Sequence, residues 1–208
     1  MVVVKKRPFP YTKIPEDPKE AREYARSSTR HAKRPAQLFA KGLLDMGVTT
    51  GRILDVGTGS GIVALEIAKT LPNTEVIGLD LSEPLLDIAR ADAKAAGLTK
   101  NLIFKKGDAQ EMPFEDNSFD TVVSLNTIHI VDSPVKMLNE VERILKPDGL
   151  AVLANIKRSW FGYIMPILKT TYTVSEMEEL LKRSKLRNYR IEEHFLAFII
   201  IAGEKQKA

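Results

Sequence analysis

The chain has no cysteine, one tryptophan and few aromatic residues of any kind. Without thiols it can form no disulfide, hold no cysteine-ligated metal and use no sulfur nucleophile. Its longest apolar run, Phe195 to Ala202, is too short to cross a bilayer as a helix. At the N-terminus Val2 to Val4 precede Lys5, Lys6 and Arg7. A secretory signal has the opposite order, charge before a longer apolar stretch, so a cytoplasmic location is expected. No metal site is expected either. What remains is the composition of a water-exposed globular protein, and 208 residues suit a single domain with a substantial core.

The net charge of +4 is unevenly spread. Residues 1 to 41 hold Lys5, Lys6, Arg7, Lys13, Lys19, Arg22, Arg26, Arg30, Lys33, Arg34 and Lys41, opposed only by Glu16, Asp17, Glu20 and Glu23. Such a region is either a solvated helix face or an attractor of anionic partners, RNA among them. Few aromatics interleave with the cations, as a single-stranded RNA surface would require.

The most informative segment is Ile53-Leu54-Asp55-Val56-Gly57-Thr58-Gly59-Ser60-Gly61, followed by Gly78-Leu79-Asp80. A short apolar strand runs into alternating glycines, and apolar residues at Ile62, Val63, Leu65, Ile67 and Ala68 then mark a helix that ends near Pro72-Asn73. A second strand, Glu75 to Leu79, delivers Asp80 to the carboxyl edge of a parallel sheet, where a carboxylate can accept from a ribose diol. The dinucleotide fingerprint G-x-G-x-x-G needs glycine at position 62, which is Ile here; the third glycine lies at 61. That loop better suits a ligand without phosphates whose amino-acid tail folds over the turn, and S-adenosylmethionine is such a ligand.

The rest of the chain alternates strand and helix. Residues 1 to 15 contain Pro8, Pro10 and Pro15 and read as extended. From Pro18 to about Met46 the pattern is helical, with a break into two helices expected near Arg34-Pro35. Ser82 is placed to cap a helix that Gly97 stops. Leu102 to Lys106 and Phe119 to Leu125 are strands. Ser133 is placed to cap a helix opened by Pro134, with Val135, Leu138, Val141, Ile144 and Leu145 inward. Pro147-Asp148-Gly149 predicts a turn into a strand over Leu150 to Ile156. A helix over about Ser175 to Ser184 and strands over Tyr189 to His194 and Leu196 to Ala202 complete the pattern, which is that of an α/β three-layer fold on a largely parallel sheet.

Five segments together resemble the class I S-adenosylmethionine-dependent methyltransferases, in the broad group that includes ubiquinone and menaquinone methyltransferases. They are Leu54 to Gly61, Gly78 to Ser82, Gly107-Asp108-Ala109-Gln110-Glu111-Met112-Pro113-Phe114, Phe119 to Ser124, and Leu145 to Leu150. Their order and spacing over roughly residues 50 to 155 carry the likeness. The resemblance implies a Rossmann-like sheet of seven strands with the last antiparallel. It implies an N-terminal arm and helical lid over residues 1 to 48, and a cofactor-binding core over residues 49 to 208. It also implies S-adenosylmethionine as methyl donor and S-adenosylhomocysteine as product.

Site roles follow from the same resemblance. Gly57, Thr58, Gly59 and Gly61 would meet the methionine and ribose part. Asp55 would fix the loop or reach the methionine ammonium, and Asp80 would bind the ribose. Leu81 would cover the adenine, Asp108 and the Ala109 N–H would read its edge, and Asn126 would sit at the methionine end. His129, after the fourth strand, is the candidate catalytic group, as base or as orienter of the acceptor; His31, Arg30 and Tyr24 on the lid are weaker candidates. Trp160, Phe161, Tyr163 and Met165 form the most aromatic stretch, an acceptor pocket or ordinary core.

The absence of cysteine excludes methylation at C5 of a pyrimidine by a thiol nucleophile. Ser124-Leu125-Asn126-Thr127 is not the Asn/Asp-Pro-Pro-aromatic motif used on exocyclic amines. A small-molecule acceptor is therefore expected. The alternatives are an RNA methyltransferase using the basic N-terminal region, a non-catalytic methyltransferase-like binding protein, and a nicotinamide-dependent oxidoreductase.

Overall fold

In the computed structural model, residues 14–158 and 170–203 are described. The aromatic stretch Trp160 to Met165 lies outside them. Helix α1 (Pro18–Asp45) leads into alternating strands and helices. These are β1 (Gly51–Val56), α2 (Ile62–Thr70), β2 (Thr74–Asp80), α3 (Glu83–Ala95), β3 (Leu102–Lys106), β4 (Phe119–Leu125), α4 (Pro134–Ile144), β5 (Leu145–Ile156), α5 (Val174–Arg183), β6 (Tyr189–Glu193) and β7 (Ala197–Ala202).

The described residues hold a seven-stranded sheet in the order β3-β2-β1-β4-β5-β7-β6. β1 runs parallel to β2 and β4, β2 to β3 and β4 to β5. β7 alone is antiparallel to its neighbours β5 and β6. The central strands are apolar throughout because both faces are covered. On one face Ile53, Val76, Val123 and Val152 pack with Val63, Ile67 and Leu71 of the α2 region and with Ala36, Ala40 and Leu43 of α1. On the other, Leu54, Ile77, Val122 and Leu153 pack with Met137, Leu138 and Val141 of α4 and Met177, Leu180 and Leu181 of α5. This is the three-layer Rossmann-like arrangement that the alternation predicts.

The helix ends explain their own positions. Asp17 caps α1 by accepting from the N–H groups of Lys19 (2.7 Å) and Glu20 (3.2 Å). Ser82 caps α3 through Leu85 N–H, with Pro84 in its first turn. Thr173 and Glu176 form a reciprocal capping box on α5, each side chain accepting from the other's backbone N–H.

Three expectations need correction. α1 does not break at Pro35 but continues through it as one helix of 28 residues. Pro35 is exposed, and the helix is held on both sides of it. Ala36, Ala40 and Leu43 pack on α2, while Ala21 and Ala25 pack with Leu85 of α3. Anchoring at both ends outweighs the one backbone bond that proline removes. Ser133 precedes α4, yet its side chain makes no cap bond; its backbone N–H goes to Gln110 Oε1 at 2.7 Å. The Pro147-Asp148-Gly149 turn is absorbed into β5 as an irregularity. Phe119 pairs with Leu145, but Thr121 pairs with Leu150. Lys146, inside the irregularity, is held to β4 by Asp120 Oδ1 at 2.9 Å.

Candidate active site

The parallel strand order reverses about β1, between β2 and β4, so a crevice opens at the carboxyl edge there. The loop Gly57 to Gly61 lines it.

Four of this loop's backbone donors bond to the protein itself. The N–H groups of Gly57 and Thr58 both donate to Leu79 C=O, at 2.8 and 2.9 Å. Gly59 N–H donates to Asp80 Oδ2 at 2.8 Å, and Gly61 N–H to Thr58 C=O at 2.9 Å. A pyrophosphate site needs such donors free and pointed at the ligand. A site that has turned them inward, and sets carboxylates beside them, suits a ligand without phosphate and with positive charge.

All three loop glycines are left-handed, with φ of 72°, 56° and 80°. Two are also sterically required. A Cβ on Gly57 would fall 2.2 Å from Thr127 Oγ1, and one on Gly61 would fall 2.8 Å from Ala89 Cβ. Gly59 differs, because a Cβ there would meet nothing within 4 Å. The open side of Gly59 is where a ligand can lie against the backbone.

Asp55 is buried, and Thr58 Oγ1 donates to its Oδ2 at 2.6 Å. The carboxyl is pushed up to about 7, chiefly by burial, with the nearby Asp80 charge adding to the rise. Its contacts hold the loop. Asp80, at the end of β2, accepts from Gly59 N–H through Oδ2 and from Ser82 N–H through Oδ1 at 2.9 Å. Burial raises its pKa, and these backbone donors oppose the rise. Beside it Leu81 is 40% exposed, a large apolar side chain left open at the crevice. The Ser82 hydroxyl donates to Pro15 C=O, which brings the segment before α1 across this rim.

Asp108 and Gln110 pair after β3. Asp108 Oδ1 accepts from the Gln110 N–H at 2.8 Å and from its Nε2 at 3.2 Å. Since Gln110 also holds Ser133, Asp108 is linked through it to the start of α4. Ala109 between them is buried.

At the end of β4, Asn126 is left-handed, with φ of 60°. Its N–H donates to Ala154 C=O at 2.9 Å and its Oδ1 accepts from Ile156 N–H at 2.8 Å. These two bonds bracket Asn155 on β5. The Asn155 side chain is buried beside the His129 ring, which it can hydrogen-bond and which is itself buried. Burial pushes the imidazole down to about 4, so it is neutral at neutral pH. A neutral ring can give and take hydrogen bonds but is a weak proton acceptor, which favours orienting an acceptor over general-base work.

The fold thus gathers Asp55, Gly57 to Gly61, Asp80, Leu81, Asp108, Ala109, Asn126 and His129 along one sheet edge. Arg30 and His31 are exposed on α1, and the His31 Nδ1–H donates to Ser27 C=O within its own helix. Tyr24 is also on the exposed side of α1. Sequence reasoning missed Ser124 and Thr127. Both hydroxyls donate to Val56 C=O, at 2.9 and 3.1 Å, and so lock the end of β1 to β4. Gln110 and Asn155 were also invisible, since no spacing rule marks a side chain whose partner is distant in sequence. Among the described residues no cluster of three or more His, Asp or Glu is gathered as a metal site would need, and no helix is long and apolar enough to cross a membrane.

Residues 53–149 match the family model of a methyltransferase domain. A demethylmenaquinone methyltransferase of Staphylococcus aureus (strain JH9) is 34% identical over 147 residues, 64% of this chain and 60% of the relative. A solved S-adenosylmethionine-dependent methyltransferase from Aquifex aeolicus superposes with a TM-score of 0.73 at 25% identity, over 89% of this chain and 97% of that one. The chain thus has the fold of such methyltransferases and resembles a methyltransferase domain over residues 53–149. A second structure, from Methanococcus maripaludis, reaches a TM-score of 0.79 over 94% of this chain and 97% of its own, and at 21% identity it speaks for the fold alone. The chain spans about 60% of the length of the curated relatives it matches. S-adenosylmethionine is the cofactor that this likeness implies, and the inward-turned loop donors, the open side of Gly59 and the Asp80 carboxylate fit it.

Proposed function

We propose that this chain transfers the methyl group of S-adenosylmethionine to a small-molecule acceptor. The observation that carries the reading is the engagement of the Gly57, Thr58, Gly59 and Gly61 N–H groups inside the protein, which turns most of the loop's donors away from a phosphate. A bound S-adenosylmethionine supplies the electrophilic methyl, so the protein's work is to bind, align and exclude water.

In this proposal the backbone of Gly57, Thr58, Gly59 and Gly61 faces the methionine and ribose part. Asp80 accepts from the ribose hydroxyls with the lone pairs that Gly59 and Ser82 leave over. Leu81 packs on the adenine, Asp108 and Ala109 meet its edge, and Asn126 meets the methionine end. Asp55 holds the loop from within. His129 orients the acceptor, with Asn155 beside it. The acceptor side of this reading draws support from relatives whose name is demethylmenaquinone methyltransferase. A single domain over residues 1–208, with residues 1–48 as arm and lid, and a cytoplasmic location belong to the same proposal.

Calorimetric titration with S-adenosylmethionine, S-adenosylhomocysteine and NAD tests the cofactor half. Binding of the first two and not the third is expected, and NAD binding alone would sink the reading. Incubation with methyl-labelled S-adenosylmethionine and a panel of candidate metabolites tests the transfer.

A further inference from the structure

Helix α1 presents Arg22, Arg26, Arg30 and Arg34 at successive i, i+4 positions. All four are exposed, and so are Lys19, Lys33 and Lys41 on the same arc. The ladder spans about 18 Å along the helix axis. None of these seven side chains makes an ion pair or hydrogen bond among the described residues. Elsewhere Arg52, Arg90, Arg143, Arg158 and Arg190 each have a carboxylate within 3.2 Å, while Arg183 and Arg187 are exposed and scattered rather than laddered.

The lack of partners is built into the sequence. From Tyr24 to Leu44 the helix carries no acidic residue. The positions that would hold i, i+4 partners for Arg22, Arg26 and Arg30 hold further arginines instead. Like charges at that spacing destabilise a helix, so an isolated α1 would be better off with mixed charge. The opposite face of α1 is already committed to α2 and α3.

We propose that the α1 arginine ladder docks the phosphodiester backbone of a nucleic acid. Guanidinium forks match phosphate oxygens bidentately, and a row that steps about 6 Å along the axis while drifting round one side of the helix can follow a strand of phosphates. The row has no interleaved aromatics, so it grips backbone without reading bases. A membrane surface fits less well, because a helix that lies in a bilayer interface needs a free apolar face, and that of α1 is buried. The helix begins beside Pro15, whose C=O takes the Ser82 hydroxyl at the rim of the crevice. One end of a docked strand therefore lies near the cofactor site. The proposal concerns binding and does not depend on what the methyl acceptor is.

The test compares the full chain with two variants of equal charge. One is R22Q/R26Q/R30Q/R34Q. The control is K136Q/R183Q/K185Q/R187Q, which removes exposed cations from the α4–α5 side. Affinity for a labelled RNA hairpin and for a DNA duplex of equal length is followed by fluorescence anisotropy between about 50 and about 200 mM salt. The ladder variant should lose at least about tenfold in affinity, and its log–log salt slope should flatten by about 3, while the control stays within about threefold of the parent. Binding of RNA alone or of RNA and DNA alike supports the proposal, and the two arms show which backbone is preferred. Equal losses in both variants would reduce the effect to net charge and overturn it. So would absence of binding to either nucleic acid, or ladder-dependent binding only to phosphatidylserine vesicles. Glutamine is a good helix former, and circular dichroism with S-adenosylmethionine titration checks that the variant is folded. Loss of cofactor binding in the parent chain would strike the proposed function and leave this result standing.

Discussion

Gly59 gives its backbone N–H to Asp80 Oδ2 at 2.8 Å, so the glycine loop after β1 is tied to the carboxylate that ends β2. The two motifs that mark the site in the sequence thus touch in the fold, and Asp80 both builds the crevice and faces it. Asp80→Ala removes the acceptor from Gly59 and Ser82 and any bond to a ribose. Hydrogen bonds to charged groups contribute about 1.5–3 kcal/mol each. Affinity for S-adenosylmethionine should therefore fall at least about tenfold, with a lower melting temperature. Asp80→Asn, which keeps one acceptor, should lose less. Unchanged affinity in calorimetry would remove Asp80 from the ribose role.

The loop glycines should separate stability from binding. Gly57→Ala would put a methyl 2.2 Å from Thr127 Oγ1 at a left-handed φ, so it should unfold the protein at markedly lower temperature. Gly59→Ala meets no protein atom and carries only the left-handed penalty of about 1–2 kcal/mol. Its methyl would occupy the open side of the loop. A modest drop in melting temperature with a large drop in cofactor affinity is the expected pattern. Equal stability losses in the two variants would contradict it.

Asp55 and His129 should give opposed pH dependences. The folded-state pKa of Asp55 is raised, from 3.8 to about 7. The folded protein then holds a proton that the unfolded chain releases, so this group's contribution to stability declines as pH rises across that window. Asp80, also raised by burial, acts in the same direction. The folded-state pKa of His129 is lowered, from 6.5 to about 4. There the unfolded chain holds the extra proton, so this contribution is lost as pH falls through that window and grows as pH rises. Denaturant midpoints measured through the overlap of the two windows should show it. Relative to the parent, His129→Gln should steepen the decline with rising pH. Asp55→Asn should expose the rise due to His129. Parallel profiles for both variants would contradict the assignment.

Pro35 offers a test of the continuous helix. It occupies an exposed interior position of α1 and lacks the N–H that would complete the backbone ladder. Pro35→Ala should restore one helical bond and raise the melting temperature, by up to about 3 kcal/mol of stability. A drop would mean that the proline geometry is needed to fit α1 onto α2 and α3.

Much of this could be read from the sequence because it is local. β3 and β4 start and end at the residues expected of them, α2 begins at the residue after Gly61, and Ser82 caps α3 as its position suggests. Helix and strand periods, caps and glycine spacing each act within a few residues, and so does the shift of the third glycine from 62 to 61. What failed was decided over longer distances. Pro35 breaks helices in isolation, but Ala21 and Ala25 on one side of it and Ala36, Ala40 and Leu43 on the other are anchored to different helices. Ser133 makes no cap with its side chain, and its backbone is held instead by Gln110, a residue 23 positions away.

The sequence by itself determined the strand–loop–helix units, the carboxylate at the end of β2 and the choice of a loop unsuited to a dinucleotide. Those depend on backbone conformations available to each residue and its near neighbours. Only the tertiary structure decided that the loop's N–H groups would be consumed by Leu79 and Asp80, and that Thr127 would make Gly57 irreplaceable. It also left the arginines of α1 facing solvent without partners among the described residues. These outcomes depend on which distant groups the sheet brings within about 3 Å, the range over which hydrogen bonds and steric exclusion act.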